Sequence, residues 1–482
     1  MTVQDAAVMC SVCSQRRENG TYTPTREEIA AWSCTALDST TELCQCCSGV
    51  LQFGSAILDV VRTEIHKSGY EDVFGWPVSI QLSPELLFRF YIDKVLKTDG
   101  QVKPEAFVEV KDVLRTMIYN SVVVERFSEH LPKLFMEVAV QSPEARVPDE
   151  LMKSVNQRIR YKPSGKKFRT RESVNIADFQ QFVEVTKGDV QKVLKALVPS
   201  SPENDVTKMK LTLYERFVAP KISTFPITTV SMRRETVFLV GKYSKHCREF
   251  GQSQWDHNET SVSESICPVV CELFKSPIDK CLFSASGRED MDVRCLGSGR
   301  PFVLQVGDPR SLAPLLDDGK MLREVVIDTG DVVVKGLRWV DKGVMDWLHW
   351  STEQHLKTYR CVVWSEEVLP ENLTEVSHTV KNLKVFQKTP LRVLHRRTEN
   401  TRQKTMHSVH AERLNDHYAI VTLVASAGAY IKEFIHADFG RTSPSFCDVI
   451  FGRFVRCDIL QLDVLEVQQD DEEGYVPLWD RN

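Results

Sequence analysis

Residues 286–294 read SGREDMDVR and residues 297–302 read GSGRPF, and this charged stretch is the most informative part of the chain. Small residues and charges alternate in it, and almost nothing apolar is available to bury. A glycine-flanked loop that presents carboxylates between arginines buries little apolar surface, so it would stabilise the fold poorly if it only connected two strands. We therefore interpret it as a loop that holds one ionised aspartate, Asp290 or Asp292, for chemistry on a negatively charged substrate.

The chain has 482 residues, of which 42% are hydrophobic and 26% charged, the composition of an ordinary globular protein. This length predicts two or three domains. The sequence contains no run of about 20 apolar residues that could cross a bilayer. Its first residues lack the basic start and apolar stretch of a signal peptide. We therefore expect an intracellular, reducing compartment, the nucleus or the cytoplasm.

Two basic segments stand out against the net charge of −5. Lys153–Arg171 contains no acidic residue, and Arg392–Lys404 contains a single glutamate. Such segments bind phosphates by releasing counterions, although a solvated surface loop explains either segment equally well. The run Lys166–Arg171 also has the composition of a nuclear signal.

Six of the 14 cysteines fall within the first fifty residues. Cys10 and Cys13 form one C-x-x-C pair, and Cys44 and Cys47 form another. This spacing lets four thiolates share one tetrahedral zinc ion, and such a site is structural because no coordination position stays open. Cys46 or Cys34 could replace one of these ligands. The alternative is a cysteine-rich surface segment without metal.

The pattern of apolar residues changes along the chain. Val78–Leu82 alternates like a strand, and residues 85–96, Leu131–Val140 and Asp189–Leu197 are predicted as helices. Pro199–Asp205 is a turn-rich connector. From Val237 onwards we predict an α+β domain with strands at Val237–Val240, Phe302–Val306, Val325–Ile327, Asp331–Val334, Cys361–Trp364, His417–Ala425 and Asp458–Val467, and with helices at Ser263–Lys275 and near Lys432.

Three later segments strengthen the interpretation of the charged stretch. Residues 357–360 read KTYR, residues 389–397 read TPLRVLHRR, and residues 428–441 read GAYIKEFIHADFGR. Taken in this order with 287–302, they resemble the motifs of the pseudouridine synthases. The likeness is greatest to the archaeal and eukaryotic tRNA pseudouridine synthases that isomerise uridines 54 and 55 of the T-loop, and it covers about Val237 to Val467.

The resemblance implies a division of the chain into four parts. Residues 1–50 would be a zinc-binding segment, and 51–205 a THUMP-like RNA-binding accessory region. Residues 206–236 would be a linker, and 237–482 the α+β catalytic domain with a mixed or antiparallel sheet.

The resemblance also implies an isomerase that uses no organic cofactor. The C1′–N1 bond breaks, the base rotates, and C5 joins C1′. Asp290 would be the catalytic carboxylate, with Asp292 as the competing candidate. Lys432 would keep it ionised, and Tyr359 would stack on the uracil. Alternatively, Lys432 is an ordinary cation in the first turn of a helix, and Tyr359 is a tyrosine of the hydrophobic core.

A base inside a folded loop must be flipped out before it can react. Arg288 is expected near the place that the flipped base leaves in the stack of bases. The two basic segments are expected to contact phosphates through Arg392, Arg396, Arg397, Arg158, Arg160, Lys166, Lys167 and Arg169. The implied partner is the T-arm of tRNA, with other structured RNA left open. We expect a monomer with no membrane contact and no small-molecule substrate.

Two rival functions belong to other classes. One is an RNA-binding scaffold or tRNA chaperone whose isomerase site is dispensable. The other is a zinc-ribbon interaction protein, which leaves the whole set of motifs after Val237 unexplained. Asp290, Tyr359 and Lys432 occur together, which favours a working isomerase.

Overall fold

A computed structural model describes residues 10–18, 27, 43–71, 77–83, 85–90, 109–121, 131–142, 226–253, 260–395 and 397–467. The chain forms two compact units, one of Met1–Glu129 with Lys133–Arg233 and one of His130–Pro132 with Arg234–Asn482. The second unit therefore begins next to the predicted domain start at Val237. In the part of the chain that is described, no helix is long and apolar enough to cross a membrane.

The first unit combines helices with a small sheet. Its helices are α1 (Ser11–Glu18), α2 (Gly54–Ser68) and α3 (Val110–Ser121), and residues 85–90 are also helical. The strands β1 (Val78–Leu82), β2 (Leu134–Gln141) and β3 (Ile227–Arg234) lie in that order, with β1 and β2 parallel. Strand β1 is thus where the sequence predicts it, whereas β3 occupies part of the expected linker.

One predicted helix is wrong. Leu131–Val140 was expected to be helical, but Leu134–Gln141 is strand β2. Leu134, Met136, Val138 and Val140 are buried, while the residues between them are half-buried. Apolar side chains two residues apart share one face of a strand, so this spacing favours the extended conformation. The predicted helix Asp189–Leu197 lies outside the described residues.

The second unit is an α+β domain, as the sequence predicts. In chain order its elements are β4 (Val237–Lys245), α4 (Val262–Phe274), β5 (Cys281–Ala285), β6 (Val293–Val306), α5 (Lys320–Glu324), β7 (Val326–Asp328), β8 (Val332–Lys335), β9 (Arg338–Val340), α6 (Val344–Gln354), β10 (Lys357–Ser365), α7 (Leu373–His378), β11 (Lys381–Lys388), β12 (Thr401–Arg413), β13 (Tyr418–Ala425), α8 (Ile431–His436), β14 (Thr442–Ser443), α9 (Phe446–Phe451) and β15 (Cys457–Val467).

A 12-stranded mixed sheet organises this unit. Its order is β14-β11-β12-β13-β10-β15-β6-β4-β8-β7, with β5 on β6 and β9 on β4. Strands β15 and β6 run parallel, and the neighbours β10–β15 and β10–β13 are antiparallel. Strand β10 begins at the end of the sheet where β13 and β15 end, and β6 begins beside Leu462, near the middle of β15. Residues from all four predicted motif segments line one cleft of this unit.

Candidate active site

The charged stretch forms the turn between β5 and β6 and the first part of β6. Gly287 adopts φ +86°, and a Cβ there would lie 2.9 Å from both Arg300 Nη1 and Lys357 Nζ. Gly297 adopts φ +63°, and its Cβ would lie 2.0 Å from the carbonyl oxygen of Leu465 on β15. Both positions favour glycine because the backbone is left-handed, and at Gly297 the backbone of β15 also leaves no room for a Cβ.

A buried ion pair between Glu289 and Arg300 holds the loop in place. Arg300 Nε lies 2.7 Å from Glu289 Oε2, and these side chains are 2% and 0% exposed. The hydroxyl of Tyr243 donates to Glu289 Oε1 at 2.6 Å, and Arg300 Nη1 donates to the carbonyl of Ser286 at 2.8 Å. Burial, reinforced by the charge of Glu289, raises the pKa of Tyr243. Glu289 and Arg300 therefore fix the loop backbone rather than face the substrate.

Two further cations hold the carbonyl groups of the loop. The buried Lys245 donates from Nζ to the carbonyls of Met291 and Phe250, each at 2.7 Å. Burial lowers the pKa of Lys245, an effect that Glu289 opposes. Arg248 donates from Nη1 to the carbonyl of Asp292 at 2.9 Å. The backbone that directly follows Asp290 is thus held in place, while the Asp290 side chain stays 33% exposed.

Asp290 lies between two cations. Arg392 Nη1 is 2.8 Å from Asp290 Oδ2, and Lys432 Nζ is 3.5 Å from the same oxygen. Lys432 is closer to Asp292, with Nζ 2.7 Å from both carboxylate oxygens. Burial would raise the pKa of Asp292, but the hydrogen bond and charge of Lys432 outweigh burial and lower it. The predicted support from Lys432 is therefore shared between two aspartates.

Arg392 is the nearer counterion of Asp290, although the sequence suggests only a phosphate contact for it. Its Nε also lies 2.7 Å from Oε1 of Glu433, whose side chain is buried. Burial lowers the pKa of Arg392, but Glu433 and Asp290 together raise it. The charged guanidinium of Arg392 is thus held by Glu433 and contacts Asp290.

These residues border an open cleft of about 740 Å³. Asp290, Tyr359 and Lys432 line it, as do Arg288 and Arg397. Among the described residues, Asp292 is not part of its wall. Apart from the buried pair of Glu289 and Arg300, the acidic residue of the wall is Asp290, and the cationic side chains are Arg288, Lys357, Arg392, Arg397, Arg402, Lys404 and Lys432. This excess of positive charge suits a phosphate-bearing ligand.

Tyr359 and Lys357 are neighbours on β10 with different electrostatic states. Burial raises the pKa of Tyr359 to about 12, so at neutral pH it stays an uncharged phenol that offers a ring face. Burial, together with the charge of Arg300, lowers the pKa of Lys357 to about 8. Lys357 was not among the predicted site residues, although it begins the KTYR segment that contains Tyr359.

Several predicted RNA contacts cannot be placed. Arg158, Arg160, Lys166, Lys167, Arg169 and Arg396 lie outside the described residues. Conversely, Arg402 and Lys404 line the cleft and were not predicted there. They are two residues apart on β12, so strand periodicity in the basic segment was the signal that could have found them.

The first unit contains the predicted cysteine cluster. The Sγ atoms of Cys10, Cys13, Cys44 and Cys47 all lie within 4.8 Å of one another, and the four residues are buried. Cys10 Sγ and Cys47 Sγ are 3.9 Å apart. Four thiolates about 2.3 Å from a tetrahedral zinc ion lie about 3.8 Å apart. The donor set and its spacing therefore suit a metal ion. Cys34 lies outside the described residues.

The mixed sheet, the braced aspartate loop and the basic cleft all lie in the part of the chain that is similar to a known protein family. The family model described as Pus10, C-terminal, matches residues 238–468. Proteins called tRNA pseudouridine synthase Pus10 are similar to this chain in Homo sapiens (35% identical over 240 residues), Pyrococcus furiosus (35% over 247) and Archaeoglobus fulgidus (34% over 257). The chain belongs to the Pus10 family.

The alignments cover different shares of the proteins. They include 48% of this chain and 44% of the human protein, 51% and 60% for Pyrococcus furiosus, and 50% and 69% for Archaeoglobus fulgidus. The match thus spans about half the length of the human relative. The crystal structure of a Cbf5-Nop10-Gar1 complex aligns at 10% identity with a TM-score of 0.27, over 47% of this chain and 48% of the other. That likeness is too weak to add to the assignment.

Proposed function

We propose that this chain is an isomerase that converts uridine to pseudouridine in tRNA, with Asp290 as its catalytic carboxylate. The observation that carries the proposal is the placement of Asp290. Its carboxylate reaches a basic cleft from a loop whose neighbouring carbonyls are held by Lys245 and Arg248. Such pre-positioning is what a catalytic group requires, because the geometry is fixed before the substrate binds.

The chemistry needs one nucleophilic or ion-stabilising carboxylate. As the bond between C1′ and N1 breaks, Asp290 either attacks C1′ or stabilises the positive charge that develops there. The uracil then rotates and C5 bonds to C1′, with release of Asp290 from C1′ if it had attacked there; C5 loses its proton, and N1 gains one. Arg392 and Lys432, at 2.8 and 3.5 Å, favour the negatively charged form of Asp290. The neutral ring of Tyr359 forms a surface on which the base can stack.

The proposed substrate is the T-loop of tRNA, at uridine 54, uridine 55 or both. A base in that loop must leave its stack to reach Asp290. Arg288 is assigned to the RNA around the vacated position, and Arg397 to the phosphate backbone with Arg392 and the basic segments. These contacts would give affinity, while loop shape and stacking would supply selectivity. The relatives are named tRNA pseudouridine synthases, which supports tRNA as the substrate.

Isomerisation by the wild-type chain can be measured by the release of label from carbon 5. Unmodified tRNA carrying tritium at C5 of uridine should lose close to one tritium for each modified T-loop uridine. The matched control is the same tRNA with cytidines in place of the two T-loop uridines, which should lose none. Label release that is equal for both RNAs would contradict the T-loop assignment, and no release from either would contradict the isomerase.

A structural zinc ion is proposed at Cys10, Cys13, Cys44 and Cys47. When bound, it would cross-link the start of α1 to the turn that precedes α2. We expect about one zinc ion per purified chain and almost none after Cys13→Ser, with unfolding of the first unit at lower denaturant concentration. Cys46→Ser is the matched control, because Cys46 is also buried but lies outside the group. Loss of zinc in the control alone would show that the ligand set is wrong.

A further inference from the structure

The turn that follows α8 has an unusual backbone. Ala437, Asp438 and Phe439 adopt φ values of 63°, 45° and 57°, and Gly440 follows with 80°. Left-handed backbone is unfavourable for residues with a Cβ and is normally visited by single residues, not by three in a row. The side chain of Phe439 at the end of this run is 91% exposed. Neither the backbone nor the exposed ring stabilises the free protein.

The turn is fixed by hydrogen bonds. Gly440 N donates to the carbonyl of Ala437 at 2.9 Å, and Thr442 N donates to the same carbonyl at 3.1 Å. Asp438 is buried, and its Oδ2 accepts from Leu391 N at 3.3 Å. Phe439 is thus presented on a braced backbone, and a rigid aromatic ring loses little entropy when a ligand covers it.

The position of the ring relates it to the cleft. Helix α8 begins with Ile431 and Lys432, which line the cleft, and it ends at His436 next to the turn. The six residues of α8 span about 9 Å. Phe439 therefore follows the end of α8 that is remote from Ile431 and Lys432, and it is not among the residues that line the cleft.

The turn is hydrogen-bonded to the basic segment that borders the cleft, and its own Arg441 pairs with Glu399 at 3.3 Å and with Asp438 at 3.6 Å. Asp438 contacts the backbone of Leu391, the residue before Arg392, and Arg441 Nη2 donates to the carbonyl of Thr389 at 2.8 Å. Arg397 lies on the cleft wall beyond. An exposed aromatic ring next to a basic cleft matches single-stranded nucleic acid, in which bases stack and phosphates pair with cations. A purely apolar protein surface would not match this charge.

We infer that Phe439 is a nucleobase-stacking residue, which holds an unpaired nucleotide of the bound RNA outside the catalytic cleft. This inference rests on the proposed function insofar as RNA is the substrate. Stacking adds affinity for any base and needs no hydrogen bonds to its edges, so Phe439 would position the loop without reading its sequence. The flipped uridine would enter the cleft while a neighbouring nucleotide stays on the ring.

Binding of a synthetic, unmodified T-arm hairpin to the full chain tests the inference. Phe439→Ala should weaken binding about tenfold, while Phe439→Trp keeps it within about twofold. Because no phosphate contact is removed, the slope of log Kd against log salt should not change. The matched control is Phe454→Ala. Phe454 is 62% exposed, and it precedes β15 at the end that pairs with Ser365, opposite the cleft, so binding should not change.

A fluorescence measurement gives a second readout that does not depend on the alanine variant folding well. Tryptophan at 439 should be quenched when the hairpin binds, and tryptophan at 454 should not. Equal affinity of Phe439→Ala and wild type, or no quenching at 439, would overturn the inference. A change in the oligomeric state of free Phe439→Ala without a loss of RNA affinity would do so too, since a protein contact would then cover the ring.

The two proposals fail in different experiments. If the wild-type chain releases no tritium but Phe439→Ala still weakens hairpin binding, the isomerase is wrong and the stacking residue stands. If Phe439→Ala releases tritium and binds the hairpin with wild-type affinity, the isomerase proposal stands and the stacking proposal is wrong.

Discussion

Asp290→Asn should lower the rate of uridine isomerisation about 10³-fold or more, because removal of a catalytic nucleophile has effects of this order or larger. The amide keeps the size of the side chain but has neither the negative charge nor the nucleophilic oxygen. Arg392 retains its contact with Glu433 at 2.7 Å, so the wall of the cleft should keep its shape. Binding of tRNA should therefore change little. Single-turnover tritium release and equilibrium binding measure the two effects separately.

Asp292→Asn is the matched control, because it removes the same charge two residues away. Asp292 is 62% exposed and Asp290 33%, and Asp292 contacts Lys432 rather than the space of the cleft. We expect a loss of about tenfold or less, since Lys432 would then be free to approach Asp290 more closely. If the two effects are reversed, Asp292 is the catalytic carboxylate and the interpretation of the loop is wrong.

The part of the site that is local in sequence could be predicted. Asp290 and Arg288 occupy one loop, and the segments with Tyr359 and Lys432 have recognisable motifs. These four residues all line the cleft. The glycines around the loop were also informative, because a left-handed, closely approached backbone leaves a direct signature in residue type.

The partners within the site could not be predicted, because they are set by tertiary packing. Arg392 and Asp290 are 102 residues apart in sequence. Whether Arg392 or Lys432 lies closer depends on the buried Glu433, which fixes the guanidinium. A glutamate beside a lysine at the start of a helix looks like an ordinary solvated pair. Its burial follows only from how α8 packs on the sheet.

The errors in secondary structure have a similar origin. In Leu134–Gln141, Leu, Met, Glu and Ala are all strong helix formers, yet the apolar residues have a period of two and the segment is β2. Strand β12 begins inside the basic segment with Arg402 and Lys404, where charge concealed the alternation. In both segments the position in the sheet outweighs the intrinsic preference of the residues.

Arg300→Met should lower the free energy of unfolding of the second unit by about 3–5 kcal/mol, because it leaves the fully buried Glu289 without its partner. The side chains are 2% and 0% exposed in the pair, so water cannot replace the guanidinium. The loop should also lose the bond from Arg300 to the carbonyl of Ser286 at 2.8 Å, and isomerisation should fall with it. Urea unfolding followed by circular dichroism measures the stability.

The double variant Glu289→Gln with Arg300→Met separates the two contributions of the pair. With both charges gone, much of the lost stability should return, because a buried ion pair often adds little compared with uncharged residues of similar volume. Isomerisation should stay low, since Asp290 would sit on a loop that is no longer fixed. A double variant that is as unstable as Arg300→Met would contradict this account. The loss of stability would then come from lost packing around the Arg300 side chain and not from the unpaired charge of Glu289.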